Sequence, residues 1–216
     1  MRLFAAVLPP PSAVAELAGA VRELGGLPGA GALRWTEVAG WHFTLAFLGE
    51  VDGAVLPELV RRLGRAAGRT EGFRLRVHGG GRFDDRALWA GAAGGIDTLR
   101  LLAERTDAAA RRAGVAMGEH RRFRPHLTLA RTRGPRATRP DLLPYVEALD
   151  GFEGTPWEVS ELALVRSELP VSGVAGEQPR YETIARCPLG REGAGTPGAG
   201  TPLPGTPGAG GGGAGG

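Results

Sequence analysis

Lysine does not occur in the 216 residues, so all 26 basic side chains are arginines. A Walker-type phosphate loop needs a lysine after its glycines and is therefore excluded. Cysteine is almost absent too. The one thiol, Cys187, rules out an intrachain disulfide and any zinc site built on paired cysteines, and a reducing cytoplasm is the expected compartment. No apolar run is long enough to cross a membrane. The run Leu3 to Leu8 is cut off by Pro9, Pro10 and Pro11 before it reaches the length of a signal-peptide core, although Ala13-Val14-Ala15 imitates a cleavage site. It reads as a first strand. Serine-hydrolase chemistry also falls away, since no serine lies in Gly-x-Ser-x-Gly to partner His78-Gly79-Gly80-Gly81, which reads as a turn with an exposed histidine. Large apolar side chains all but vanish after about Pro188. A Gly, Ala, Thr and Pro segment cannot offset its ordering entropy, so residues 188–216 are expected to be a disordered tail and 1–187 the folded domain. The Gly-x-Gly-x-x-Gly from Gly208 to Gly213 falls in that tail, with no strand or helix to use it.

What remains is long enough to bury a core, as one compact domain or two small lobes. Val14, Leu17, Val21 and Leu24 recur at helical spacing and are stopped by Gly25-Gly26. A second helix is expected from Val55, Leu56, Leu59, Val60 and Leu63, and a third over Ile96 to Arg112, ended by Gly114. A short fourth helix carries Leu142, Leu143, Val146 and Leu149, with Pro144 near its start. Phe73 to Val77 and Ala87 to Ala90 read as strands joined through Gly79-Gly80-Gly81 and Asp84-Asp85. Val115 to Met117, Trp157 to Val165 and Tyr181 to Cys187 complete about eight strands. The tryptophans at 35, 41, 89 and 157 are expected in the core, with one of them or Phe83 able to stack on a base.

One pattern occurs twice. Trp41-His42-Phe43-Thr44-Leu45-Ala46-Phe47 is echoed by Pro125-His126-Leu127-Thr128-Leu129-Ala130-Arg131, each copy His-x-Thr-Leu-Ala in an alternating frame. Alternation puts Phe43, Leu45 and Phe47 on a core face, and His42, Thr44 and a small Ala46 on the other. The second copy repeats this, with Leu127 and Leu129 inward and His126, Thr128 and Ala130 outward. Two imidazoles facing one cleft suit a reaction in which one oxygen loses a proton and another gains one. In-line displacement at phosphorus is the natural case, with the threonine hydroxyls donating to non-bridging oxygens and no metal or other cofactor required. A metal site from His42, His78, His120 and His126 lacks both the spacing and the carboxylates. Seven arginines between His120 and Arg139, without one Asp or Glu, point to a phosphate partner beside the second copy. Which histidine gives the proton is left open by the residues themselves. Arg131 is awkward: strict alternation sends it away from His126, unless the strand ends or bulges near Ala130, or Arg131 reaches in from outside the regular sheet.

With Arg2-Leu3-Phe4-Ala5-Ala6, Trp35, Phe47-Leu48-Gly49, Leu88-Trp89-Ala90-Gly91, Phe123-Arg124-Pro125 and the pair Ser167 and Tyr181 added, the chain resembles the RNA 2′,3′-cyclic phosphodiesterases, once named 2′-5′ RNA ligases, of the 2H phosphoesterase superfamily. The resemblance implies an α+β fold of two pseudo-symmetric lobes, each an antiparallel sheet backed by helices, with the active-site cleft between the sheets. It implies His42 as proton donor and His126 as proton acceptor, with Thr44, Thr128 and Arg131 binding substrate. The expected partner is RNA with a 2′,3′-cyclic phosphate end, tRNA fragments included, or a small nucleotide, acted on by a monomer away from membranes. A related enzyme for small cyclic phosphoesters, or a non-catalytic nucleotide binder, would use the same cleft. The loop from Leu169 to Arg180 and the tail depart from the family pattern.

Overall fold

The computed structural model describes residues 1–118, 123–169 and 178–190. Nine strands and four α-helices lie among them. The strands are β1 (Arg2–Val7), β2 (Leu33–Trp35), β3 (Phe43–Glu50), β4 (Phe73–Phe83), β5 (Ala87–Gly94), β6 (Leu127–Thr132), β7 (Trp157–Val159), β8 (Glu161–Glu168) and β9 (Arg180–Pro188). The helices are α1 (Pro11–Leu24), α2 (Leu56–Gly68), α3 (Ile96–Arg112) and α4 (Leu143–Asp150). They build two antiparallel sheets, one in the order β3-β1-β8-β9 and the other β2-β6-β5-β4-β7. Helices α2 and α3 back the first sheet, and α1 and α4 the second. This is the two-lobed α+β architecture expected, with one qualification: the lobes are not sequence halves. The chain crosses between sheets repeatedly, and Ser160 alone separates β7 in one from β8 in the other.

Local rules place the helices. Pro11 opens α1 at a position whose N–H would have no partner anyway, and its Ala13, Leu17 and Leu24 are buried. Pro144 plays the same part in α4, whose Tyr145 is fully buried and donates its hydroxyl to the Pro28 carbonyl at 2.8 Å. Buried Leu59 and Leu63 of α2, and Leu99, Leu102 and Thr106 of α3, carry the stripes that face the first lobe. Each fully buried leucine contributes roughly 1.5–3 kcal/mol. One apolar cluster runs through both lobes, from Leu3, Ala5 and Val7 to Leu75, Val77, Leu127 and Leu129. The other face of β1 is buried as well, since Phe4 and Ala6 pack with Ala163 and Val165 of β8.

Several expectations are corrected. Gly79 to Gly81 do not form a turn; they lie inside β4, where a register shift between His78 and Gly80 leaves Gly79 as a bulge at φ +61°. Gly81 is needed for what lies over it: a Cβ there would meet the Trp89 ring at 2.2 Å. The turn is tighter and later, with Asp84 at φ 49°. Val115 to Met117 is not a strand, although Val115 is buried. Trp157 to Val165 is two strands. At the other end, Leu189 is buried and donates its N–H to Ser160 at 2.8 Å. His120, Arg121 and Arg122, most of the Leu169 to Arg180 loop, and the tail from 191 on, Gly208 to Gly213 included, lie outside the described residues. No helix among the described residues is long and apolar enough to cross a membrane.

Candidate active site

The two His-x-Thr stretches end up in different sheets. His42 enters β3 of the first and His126 enters β6 of the second. Both strands carry a bulge at the corresponding residue. In β3, Thr44 pairs with Ala6 and Ala46 with Ala5, which leaves Leu45 unpaired. In β6, Thr128 pairs with Trp89 and Ala130 with Leu88, which leaves Leu129 unpaired. An extra residue reverses the alternation beyond it. Ala46 and Ala130, expected outward, therefore join the core, and Phe47, expected inward, is 68 % exposed. The same device answers the awkward placement of Arg131. It is exposed, and its charge acts on both His126 and Tyr181, which puts it on the His/Thr side of the sheet.

The imidazoles are held in parallel ways. His126 Nδ1 lies 2.8 Å from the carbonyl of Arg124, two residues upstream. A carbonyl only accepts, so Nδ1 carries the proton and Nε2 of the neutral ring is the free base. His42 is likewise bonded to the backbone of Gly40, two residues upstream at the end of the 3₁₀ turn Val38–Gly40. Each ring also lies against aromatics. His42 stacks on Phe4 at 4.5 Å and meets the edge of Tyr181 at 5.5 Å. His126 meets Phe83 edge-on at 4.7 Å and Trp89 at 6.4 Å, with the Arg124 guanidinium 5.7 Å over the Trp89 ring.

These surroundings disfavour the charged ring. Burial pushes the His42 pKa down to about 4, against the opposing Gly40 hydrogen bond and with a further push from His126 across the cleft. Burial also lowers His126, helped by the charges of Arg131 and Arg124 and opposed by the Arg124 carbonyl. The charge of His126 reaches His42, so the two sheets hold the rings near each other. Burial raises the Tyr181 hydroxyl, partly offset by Arg131, Arg2 and Arg34.

A cavity of about 710 Å³ opens beside His126 and Thr44 and runs toward α3, lined by Phe47, Phe83, Met117 and Phe123 and by Glu104 and Asp107. His42, Thr128 and Arg131 lie outside its wall, His42 because it is largely enclosed by Phe4 and Tyr181. Among the arginines of the basic run, Arg139 and Arg136 pair with Asp85 at 3.0 and 3.4 Å and tie the loop after β6 to the β4–β5 turn. They are structural. Three tryptophans pack as expected: Trp41 is buried, Trp35 donates to Ala30, and Trp157 stacks on Phe43. Trp89 belongs to the site. Sequence reasoning missed Phe47 and Arg34 as cleft residues, and neither could be found without the bulge and the β2–β6 register.

Comparison with known proteins agrees with this fold. The family model of the 2′-5′ RNA ligase superfamily matches residues 9–170. A relative from Aeropyrum pernix, an RNA 2′,3′-cyclic phosphodiesterase, is 33 % identical over 159 residues, 70 % of this chain and 84 % of its own. A solved structure from Thermus thermophilus superposes with a TM-score of 0.68 at 31 % identity, over 89 % of this chain and 100 % of that one. The apo structure of Escherichia coli LigT gives a TM-score of 0.64 at 28 % identity, over 87 % and 96 %. The chain belongs to the 2′-5′ RNA ligase superfamily, the two-histidine phosphoesterases.

Proposed function

We propose that the protein hydrolyses RNA 2′,3′-cyclic phosphate ends to 2′-phosphates by general acid–base catalysis between His126 and His42. The observation that carries this is the pair of backbone-anchored imidazoles, one from each sheet, close enough for one charge to act on the other. His126 Nε2 takes a proton from water, the water oxygen bonds to phosphorus, the bond to the ribose 3′ oxygen breaks, and His42 delivers a proton to that oxygen. Thr44 and Thr128 donate to the non-bridging oxygens, and Arg131 offsets their charge. Phe47 and Phe83 offer ring faces to the terminal base. That five curated relatives carry the name RNA 2′,3′-cyclic phosphodiesterase supports the choice of substrate.

The acid role of His42 needs explaining, because a ring with a pKa of about 4 is neutral at pH 7. The phosphate supplies the answer. Its negative charge in a dry cleft favours the imidazolium, so the acid is formed as substrate binds. The kcat profile, which reports the complex, should therefore keep its basic limb to higher pH than the kcat/KM profile, which reports the free enzyme. Coincident basic limbs would contradict this account.

The deciding experiment supplies an oligoribonucleotide ending in a 2′,3′-cyclic phosphate and identifies the position of the product phosphate. A 2′-phosphate is expected, with turnover surviving exhaustive chelation. A 3′-phosphate, or no turnover, would overturn the assignment, and loss restored by a divalent ion would overturn the mechanism.

A further inference from the structure

Arg34 and Arg131 are direct cross-strand partners, joined by the pairing of β2 with β6. Their neighbours Leu33 and Trp35 pack into the apolar cluster, so alternation sends Arg34 to the cleft side with Arg131. Like charges directly opposite each other on a sheet repel and destabilise the pair. Some other strand arginines have carboxylate partners: Arg76 pairs with Glu153, and Arg166 with Glu168 and Glu182. Neither Arg34 nor Arg131 makes an ion pair with a described residue. Arg2 of the other sheet adds a third positive charge acting on Tyr181, alongside theirs. A guanidinium cannot shed its proton to relieve the repulsion. One phosphate of the reacting group carries a single negative charge, which leaves the pair half neutralised.

We propose that Arg34 binds a second phosphate, the phosphodiester on the 5′ side of the terminal nucleotide, while Arg131 holds the reacting one. The pair is then a two-phosphate clamp that selects RNA ends over free cyclic mononucleotides. This deepens the reading above and rests on it. Arg34 touches the chain and not the reacting atoms, so its loss should appear in binding of polymeric substrate.

The test uses two substrates that share a terminal nucleotide: adenosine 2′,3′-cyclic monophosphate without a 5′-phosphate, and an oligoribonucleotide ending in adenosine 2′,3′-cyclic phosphate. The quantity read is the ratio of their kcat/KM values on one protein sample, which partial misfolding cannot alter. In Arg34→Ala the ratio of oligonucleotide to mononucleotide should fall roughly ten- to hundredfold, the size of a charge-assisted hydrogen bond, through KM on the oligonucleotide. Arg34→Lys should recover part of it. The slope of log(kcat/KM) against log salt on the oligonucleotide should shrink by about 0.7, one phosphate contact on a single strand. An unchanged ratio, whether both substrates suffer or neither does, would overturn the clamp alone and leave the hydrolysis intact. Turnover of neither substrate by the wild type would take down the proposed function and the clamp with it.

Discussion

The two lobes offer the cleft opposite chemistries on the same frame. In the first, the position beyond the bulge is Phe47 and its cross-strand partner is Phe4; in the second it is Arg131, partnered by Arg34. Both lobes anchor an imidazole on a backbone carbonyl two residues upstream, and both press it against aromatic rings. The symmetric part is what proton transfer would need, two rings each anchored to the backbone two residues upstream. The asymmetric part is what direction needs. A nucleotide has an aromatic base and a charged phosphate, and Phe47 on one wall with Arg131 and Arg34 on the other would distinguish its two ends.

The largest expected effect tests the symmetric part. His42→Ala and His126→Ala should each lower kcat by roughly 10² to 10⁴, with little change in substrate binding, as removal of a general acid or base does. Steady-state turnover at wild-type rate in either variant would break the equivalence of the lobes. Next comes a variant that makes the second lobe imitate the first. Arg131→Phe should cost roughly 10² to 10³ in kcat, the usual consequence of removing one group aimed at developing charge, and Arg131→Lys should cost less. A smaller loss is expected for Phe47→Ala on the other wall. Loss of one stacking surface, worth about 1–3 kcal/mol, should raise KM for RNA without lowering kcat, and a fall in kcat would assign Phe47 to the chemistry.

The last effect is on stability and leaves turnover aside. A His42 pKa of about 4, against 6.5 in the unfolded chain, means that the unfolded state takes up a proton first as pH falls. Stability should thus be complete above pH 6.5 and decline toward pH 4, by roughly 3 kcal/mol from this ring. Denaturation midpoints at pH 7 and 4.5 should differ less in His42→Phe than in the wild type. Equal differences would show that the ring is not held neutral.

Much of this is legible in the residues because it depends on local rules. Helix boundaries follow prolines and glycines that act at their own positions, and the repeated His-x-Thr lies in a frame whose leucines demand burial. Resemblance adds the arrangement of the lobes. What escapes depends on register. A strand's alternation is visible in sequence only until a residue is added to it, and nothing in Thr-Leu-Ala says that the leucine is the added one. Strict alternation misplaces Phe47, Ala46 and Ala130 for that single reason, and makes Arg131 puzzling for the same one. Arg34 is hidden differently, since it meets Arg131 only across a pairing of strands far apart in the chain. The glycines of β4 imitate a turn because their reason is a tryptophan on the next strand and a leucine on α4.

The crossing of the chain between sheets has a further consequence, for how the molecule comes into being. The first sheet needs β1 beside β8, so its centre cannot close until about three quarters of the chain is available. The strands β2, β4, β5, β6 and β7 of the other sheet all lie between these two in the chain. No cut in the chain yields an intact lobe. Folding should consequently be slow, governed by distant contacts, and all-or-none. A half-built cleft that presents one histidine without the other should therefore not accumulate during folding.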